Sequence, residues 1–264
     1  MNTPSLAKNR YQLKGALGSG GMASVFKAYD TRLKIHRAIK IPNRQCLLHQ
    51  KIKARFESEA EAMAQLHHKN IVVIYDIQDE NYRSLDQRFN IDLVYLVMEI
   101  LPGGSVKDRI DAHGMLHPQQ AITVVQSMAA GLGYAHKNNV VHRDVKIENL
   151  LIAEDGTVKL TDFGIAQVDG GSGMTQTGAT MGTLAYMSPE QRLSSRKATA
   201  LSDLYSVAAS FYVLLRNESP SELYADDIQT LAFSEMSEKL RTFFVKGCHL
   251  NPDKRFQTAK EMIN

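Results

Sequence analysis

Residues 141–164 read VHRDVKIENLLIAEDGTVKLTDFG, and this stretch decides how the rest of the chain is interpreted. The tripeptide His-Arg-Asp at 142–144 is followed five positions after its aspartate by Asn149. A short apolar segment, a turn at 154–156 and a second short segment then lead to Asp-Phe-Gly at 162–164. Two apolar runs around a Glu-Asp-Gly turn predict a strand hairpin. The hairpin therefore lies between an acid and an amide on one side, Asp144 and Asn149, and a second acid on the other, Asp162.

The order of these motifs resembles the catalytic loop and the metal-binding loop of the protein kinases, whose patterns are H-R-D-x-x-x-x-N and D-F-G. Either motif alone occurs by chance in solvated turns, but both in this order around a hairpin are specific. The serine/threonine branch of the family also has a lysine where this chain has Lys146, whereas its usual proline is Ile147 here. The chain thus resembles a eukaryotic-like (Hanks-type) serine/threonine protein kinase of the bacterial branch.

This resemblance implies transfer of the ATP γ-phosphoryl group to serine or threonine hydroxyls of proteins, with Mg²⁺ as the cation and Mn²⁺ as a substitute. Such a reaction needs cations against the phosphate oxygens and an oriented acceptor. Asn149 and Asp162 would be the metal ligands, because Mg²⁺ prefers hard oxygen donors. Asp144 would accept the hydrogen bond of the attacking hydroxyl, and Lys146 would reach the γ-phosphate. Leu151 is assigned to the nucleotide pocket.

Composition is compatible with a large domain or two small ones in a reducing compartment. The chain has 264 residues and a net charge of +3, which is too small to favour nucleic acid as a partner. Cys46 and Cys248 lie far apart and form no metal-type motif. Residues 1–10 contain no apolar leader, and the longest apolar runs, 94–101 and 207–215, are too short to span a membrane. We expect a cytoplasmic location without membrane contact within this chain; the alternative is the cytoplasmic domain of a longer, membrane-anchored protein.

A glycine-rich turn lies near the start of the chain. Alternating residues at 11–18 and 24–28 predict two strands, and the turn between them, GSGGMASV at 18–25, fits the kinase pattern G-x-G-x-x-G-x-V except that Ala23 replaces the third glycine. Glycines let backbone N–H groups approach phosphate oxygens without a Cβ in the way. The resemblance assigns to the nucleotide Gly18, Ser19, Gly20, Gly21 and Val25.

A lysine interrupts the next predicted strand, 35–42. The resemblance assigns this residue, Lys40, to the α- and β-phosphates, while the alternative is a strand lysine that points to solvent. Residues 51–66 contain no Gly or Pro and carry one apolar face, which predicts a helix. Glu59 of this helix is then the partner that holds Lys40 on the nucleotide.

Two further strands, predicted at 71–78 and 92–99, are joined by a polar connection at 79–91 that we interpret as a mobile surface loop. Proline and glycines follow the second strand, and the resemblance makes 99–104 the hinge between two lobes. The pocket residues implied around the adenine are Ala38, Met98, Glu99 and Leu101.

The rest of the chain is predicted to be mainly helical. Residues 118–137 form an amphipathic pattern, and residues 202–215 are apolar all round, which predicts a buried helix. Asp203 is interpreted as a structural anchor for the catalytic loop, and His142 as a packing residue beneath the metal-binding loop. Residues 216–250 depart from the family pattern, so we expect reduced or irregular helix there.

A segment rich in Gly, Ser and Thr, DGGSGMTQTGA at 169–179, is expected to be mobile unless something orders it. The resemblance makes Thr175, Thr177 and Thr180 candidate phosphorylation sites. A phosphate there would bind Arg143 beside the catalytic aspartate and order the loop. The alternative is a flexible, unmodified loop.

The stretch GTLAYMSPE at 182–190 matches the segment that in the family receives the peptide substrate. Thr183 is of the serine/threonine type, and in the family it binds both the catalytic aspartate and the lysine two residues later. Glu190 is expected to pair with Arg255.

The implied fold is α+β and bilobal. An N-terminal extension (1–10) precedes a catalytic domain (11–264) with a small antiparallel sheet lobe and one helix (about 11–99), the hinge, and a larger, mainly helical lobe (about 105–264), with ATP in the cleft. The implied partners are protein substrates and a second copy for trans-autophosphorylation.

Two alternatives from other classes stay open. A pseudokinase would bind nucleotide without turnover; Ala23 and the region 216–250 favour it, whereas the complete catalytic set argues against it. That set comprises Lys40, Glu59, Asp144, Asn149 and Asp162. A small-molecule kinase of related fold would not need the segment at 182–190 or the arginine beside the catalytic aspartate.

Overall fold

The structure, a computed structural model, describes residues 4–21, 23–83, 90–164 and 181–264, and of Glu59 it describes the backbone alone. The chain divides into two compact units. The small unit comprises Met1–His67 and Val72–Ile100, and the large unit comprises His68–Ile71 and Leu101–Asn264.

An antiparallel sheet dominates the small unit. Its strands in the described ranges are β1 (Ser5–Leu6), β2 (Tyr11–Ser19), β3 (Ala23–Asp30), β4 (Ile35–Pro42), β5 (Ile74–Arg83) and β6 (Asn90–Met98), in the order β1-β2-β3-β4-β6-β5. One face buries an apolar cluster that includes Tyr11, Ile39 and Tyr95. The segment before Tyr11 belongs to this core, because Leu6 is buried and pairs with Tyr11 across the first two strands.

The prediction of a surface loop at 79–91 is wrong for residues 79–83 and 90–91, which belong to β5 and β6; residues 84–89 lie outside the described ranges. Strands β5 and β6 continue as one long hairpin, in which Asp79 pairs with Val94 and Arg83 with Asn90. Backbone hydrogen bonds of the ladder stabilise this extension whatever the polarity of the side chains. The start of the strand was also misplaced, because Ile71 forms a parallel bridge with Leu160 of the large unit instead of entering β5.

Two helices, rather than the single one expected, accompany the sheet. They are α1 (Arg44–Leu48) and α2 (Gln50–Ala64). The short α1 was missed because five residues show no periodicity, yet its Leu47 packs against the apolar cluster of the sheet. The apolar face predicted for α2 is confirmed, since Phe56, Ala60 and Met63 are buried.

Helices make up most of the large unit. Those in the described ranges are α3 (Val106–His113), α4 (Pro118–Lys137), α5 (Met181–Tyr186), α6 (Pro189–Leu193), α7 (Ala200–Arg216), α8 (Asp226–Ala232), α9 (Glu238–Gly247) and α10 (Ala259–Ile263). A two-stranded hairpin, β7 (Leu150–Ile152) and β8 (Val158–Leu160), confirms the turn predicted from the motif. Helix α7 is buried from Ser202 to Leu214, as its all-round apolar pattern predicts. Within the described ranges, no helix combines the length and the apolarity that crossing a bilayer requires.

Helix α4 approaches residues 68–71 closely at Gly131. A Cβ placed there would lie 2.8 Å from the carbonyl oxygen of Asn70 and 2.8 Å from Cδ1 of Leu160. The backbone contact cannot yield easily, because the amide of Leu160 bonds to the same Asn70 carbonyl at 2.9 Å. A glycine is therefore needed where α4 meets β8.

The substitution Gly131→Ala should lower the free energy of unfolding by about 1–2 kcal/mol, because overpacking outweighs the roughly 1 kcal/mol that alanine gains in helix propensity. Urea denaturation followed by circular dichroism measures the change. The matched control is Gly133→Ala in the same helix, whose new methyl group would meet a single side-chain carbon, Cβ of Ala259 at 3.2 Å. Equal or higher stability for Gly131→Ala than for this control would contradict the close approach.

The expected ion pair between Glu190 and Arg255 is confirmed. Both terminal nitrogens of Arg255 bond to the carboxylate oxygens of Glu190 at 2.8 Å, and Ser202 donates a further bond at 2.7 Å. Burial alone would raise the pKa of Glu190, but the bonds from Arg255 and Ser202 outweigh it and lower the pKa from 4.5 to about 2. The pair joins α6 to the segment before α10.

Replacing the carboxylate, as in Glu190→Gln, should lower the free energy of unfolding by about 3 kcal/mol at neutral pH, because it leaves a buried guanidinium without its counter-charge. Since the pKa is lowered in the folded state, the contribution is complete above pH 4.5 and declines as pH falls towards about 2. The difference between wild type and variant should therefore shrink in urea titrations below pH 4.5. Glu154→Gln, on an exposed turn, is the control; a pH-independent difference for Glu190→Gln would refute the assignment.

Candidate active site

The catalytic loop is anchored by Asp203, at the start of α7. Its carboxylate accepts the backbone N–H groups of His142 and Arg143, each at 2.8 Å, and lies 2.7 Å from Nε2 of His136. The side chain is almost completely buried. This confirms the structural role predicted for Asp203, and it gives His136, at the end of α4, a structural role as well.

The ring of His142 supports the residues on both sides of it. Burial lowers the pKa of His142, which favours the neutral ring. Its Nε2 lies 3.0 Å from the carbonyl oxygen of Thr161, so this nitrogen carries the proton, and Nδ1 accepts the N–H of Asp144 at 3.3 Å. The ring also packs on Phe163, with centroids 4.3 Å apart. The packing role predicted for His142 is confirmed.

Hydrogen bonds join four of the predicted site residues, Asp144 itself and three neighbours. Oδ2 of Asp144 lies 3.0 Å from Nζ of Lys146 and accepts a bond of 3.0 Å from Nδ2 of Asn149. Lys146 also donates to Oγ1 of Thr183 at 2.9 Å. None of these bonds uses Oδ1 of Asp144. One carboxylate oxygen is thus fixed by two donors, while the other can accept a proton from an incoming hydroxyl.

The two predicted metal ligands have the right chemistry for a hard cation. Asn149 donates from Nδ2 to the backbone oxygen of Asp144 at 2.8 Å as well as to its side chain, so its Oδ1 is the atom suited to a metal. The N–H of Thr161 bonds to the backbone oxygen of Asn149, and its hydroxyl donates to Oδ1 of Asp162 at 3.2 Å. Among the described residues, no group of three or more His, Cys, Asp or Glu side chains is arranged to hold a metal ion. An amide oxygen and one carboxylate fit Mg²⁺, which completes its shell with water and phosphates.

Gly164 brings the metal-binding loop against the catalytic loop. Its N–H bonds to the backbone oxygen of His142 at 2.6 Å, and a Cβ at this position would lie 2.9 Å from Cβ of Asp144. The third residue of the Asp-Phe-Gly motif must therefore lack a side chain.

In the small unit, the sheet register aligns the residues predicted for the nucleotide. Gly18 pairs with Val25, Val25 with Lys40, and Lys40 with Leu96. Ala38 pairs with Met98. Because paired residues and alternate residues of a strand point to the same side, Ala38 and Met98 lie on the same face of the sheet as Lys40 and Leu96. Lys40 is half-buried. Its pairing with Glu59 stays a prediction, because the Glu59 side chain lies outside the described part.

The glycine-rich turn is held by a residue that no sequence pattern indicated. Nδ2 of Asn43 donates to the carbonyl oxygens of Gly20 and Gly21, both at 3.0 Å. The N–H of Gly20 bonds to the carbonyl oxygen of Ala23, which is already part of β3. Strand geometry suits any residue, so alanine in place of the third glycine disturbs nothing here. Asn43 shows no sequence signal beyond its position after the proline that ends β4.

The predicted hinge residues are fixed on each side by their own unit. In the small unit, two hydrogen bonds join Glu99 and Val73. The N–H of Glu99 donates to the carbonyl oxygen of Val73, and the N–H of Val73 donates to the carboxylate of Glu99. In the large unit, the N–H of Gly103 bonds to the carbonyl oxygen of Ile152, next to Leu151. A Cβ on Gly103 would lie 2.7 Å from that oxygen. Glycine is therefore required at this point.

The three candidate phosphorylation sites, Thr175, Thr177 and Thr180, lie outside the described residues. The arginine predicted to receive the phosphate is described: Nε of Arg143 is buried and has no hydrogen-bond partner among the described residues. Phosphate binding by Arg143 stays a prediction.

Comparison with known proteins places this geometry in a family. The family model for the protein kinase domain matches residues 11–264. Curated relatives include the serine/threonine-protein kinase PknB of Mycobacterium tuberculosis, 35% identical over 99% of this chain and 43% of its own length. Another is the serine/threonine-protein kinase PrkC of Bacillus subtilis, 32% identical over 96% of this chain and 39% of its own length. This chain thus spans about two fifths of the length of these relatives.

The crystal structure of the kinase domain of Mycobacterium tuberculosis PknI has the same fold, with a TM-score of 0.75 at 20% identity, over 98% of this chain and 97% of that one. These findings confirm the bilobal α+β kinase fold and the resemblance to bacterial Hanks-type kinases. The chain therefore belongs to the protein kinase domain family.

Proposed function

We propose that this chain transfers the γ-phosphoryl group of ATP to serine and threonine hydroxyls of proteins. The observation that carries the proposal is the Asp144 carboxylate, held through Oδ2 by Lys146 and Asn149, with Thr183 on the same lysine. In this arrangement Asp144 accepts the hydrogen bond of the substrate hydroxyl and orients it. Lys146 offsets the charge that develops on the transferred group. The relatives PknB and PrkC are serine/threonine-protein kinases, which favours serine and threonine as acceptors.

Asn149 and Asp162 would hold Mg²⁺, or Mn²⁺ in its place, through oxygen atoms. The cation, when bound, neutralises phosphate charge. In the small unit, Lys40 would bind the α- and β-phosphates, and the glycine-rich turn would offer backbone N–H groups to phosphate oxygens. The hydrogen bonds from Asn43 to Gly20 and Gly21 support this role of the turn, because they keep the two carbonyl oxygens bound to the Asn43 side chain.

Autophosphorylation at Thr175, Thr177 or Thr180 is proposed as the regulation. The support in the described residues is the buried Nε of Arg143, beside the catalytic aspartate. A phosphate would add nearly two negative charges and charge-assisted bonds to this guanidinium. A second copy of the chain would supply the kinase for this step. We further propose a cytoplasmic location, either for the chain by itself or for the chain as part of a longer, membrane-anchored protein.

Replacing the proposed base, as in Asp144→Asn, should abolish phosphate incorporation, because an amide cannot accept the hydroxyl proton. Wild type and variant are incubated with ATP and Mg²⁺, and phosphate is counted by intact mass and located by peptide mapping. The control is Asp155→Asn, on the exposed turn of the hairpin, which should leave incorporation unchanged. ATP should still raise the melting temperature of Asp144→Asn.

A wild type that binds ATP in the melting assay, but phosphorylates neither itself nor a generic protein acceptor, would sink the proposed function. The chain would then be interpreted as a pseudokinase.

Adding one methyl group at the metal-binding loop, as in Gly164→Ala, should lower kcat about 10- to 100-fold, because the new methyl group would displace the side chain of Asp144 at its Cβ. Steady-state kinetics on a peptide acceptor measure the effect. Gly15→Ala is the control, since a Cβ at Gly15 meets nothing within 4 Å. Unchanged kcat in a folded Gly164→Ala protein would show that the contact between the two loops is not needed for the reaction.

A further inference from the structure

A buried glutamine touches the backbone of the catalytic loop, and neither the sequence motifs nor the proposed reaction gives it a role. Gln191 lies in α6, directly after Glu190, and its side chain is almost completely buried. Its Nε2 donates a hydrogen bond of 2.5 Å to the carbonyl oxygen of Arg143. This contact joins the end of the peptide-receiving segment to the residue that precedes the catalytic aspartate.

The backbone of Arg143 needs such support. Its φ is +68°, in the left-handed region that residues with a side chain adopt at a cost of roughly 1–3 kcal/mol. Asp203 holds its N–H group, and Gln191 holds its carbonyl oxygen. The peptide of Arg143 is therefore fixed from two helices, α7 and α6.

The carbonyl of Arg143 and the N–H of Asp144 belong to the same peptide plane. A bond that fixes the carbonyl of Arg143 therefore also fixes the N–H group of Asp144. This N–H group donates to Nδ1 of His142. Since the side chain of Asp144 leaves the backbone directly after this plane, rotation of the plane would move its carboxylate.

Gln191 itself is held rigidly. Its own N–H donates at 3.0 Å to the carbonyl oxygen of Ser188, the residue that precedes α6. The preceding residue, Glu190, is fixed by the bidentate bonds from buried Arg255. The amide of Gln191 thus transmits the position of α6 to the catalytic loop, with little freedom of its own.

We propose that Gln191 is a positioning residue for Asp144, which ties the peptide-receiving segment 182–190 to the catalytic aspartate through the carbonyl of Arg143. This inference rests on the proposed kinase function. It predicts that the amide of Gln191 affects the chemical step more than the binding of ATP or peptide, because Asp144 acts on the hydroxyl that reacts.

The first test replaces the amide by an apolar side chain of similar size, Gln191→Leu. We expect kcat to fall about tenfold, with KM for ATP and for a peptide acceptor within about twofold of wild type. The matched control is Gln229→Leu in α8, because Nε2 of Gln229 likewise donates to a backbone carbonyl oxygen, that of Leu223 at 2.9 Å. This control should keep wild-type kcat. Melting curves of both variants report folding.

The second test separates positioning from mere packing. The carboxyl group introduced by Gln191→Glu has the shape of the amide, but it donates a hydrogen bond only when it is protonated. Burial beside a carbonyl oxygen raises the pKa of such a group. The loss of kcat in Gln191→Glu, relative to wild type at each pH, should therefore become smaller as pH falls from about 8.5 to 6.

Wild-type kcat in Gln191→Leu, or a change confined to KM for the peptide, would overturn the inference and leave the proposed function standing. If Gln191→Leu does not fold, Gln191→Glu decides, and a loss of kcat that stays constant with pH overturns the inference. A wild type without kinase activity would overturn the proposed function and the inference together.

Discussion

The site depends on the hydrogen bonds that the buried carboxylate of Asp203 accepts from the catalytic loop. A charge removed from water is tolerated only when hydrogen bonds replace its hydration, and here two backbone N–H groups and the ring of His136 do so. Its place in the first turn of α7 adds the favourable field of the helix N-terminus. Because the two N–H groups belong to consecutive residues, the carboxylate fixes both the position and the direction of the chain that enters Asp144.

Strain and close contact accumulate around this anchor. Arg143 and Asp162 both have a positive φ, although neither is a glycine. Gly164, by contrast, has no side chain where Asp144 comes nearest. Backbone conformations of this kind persist only where the surroundings determine them. The catalytic and metal-binding loops are thus shaped by bonds from α4, α6, α7 and the hairpin, and not by the local preference of their own residues.

The sequence predicted the parts that depend on pattern. Helices α4 and α7 follow from apolar periodicity, and the ion pair between Glu190 and Arg255 followed from the family motif. Two kinds of feature were missed. The long β5–β6 hairpin continues through polar residues because its ladder hydrogen bonds join backbone groups and do not depend on the side chains. Asn43 and Gln191 act through side chain to backbone bonds, which leave no periodicity or spacing to detect. The pairing of Lys40 with Glu59 and the loop threonines stay predictions, as the described residues do not include the groups involved.

The bond between Glu190 and Arg255 also constrains the order in which the protein can form. The two residues are 65 positions apart, so the guanidinium leaves the ribosome several seconds after the carboxylate at ordinary rates of synthesis. Until then α6 has no counter-charge to hold it, and Gln191 has no fixed base from which to reach the catalytic loop. The geometry that joins α6 to the catalytic loop can therefore form only after residue 255 has been synthesised.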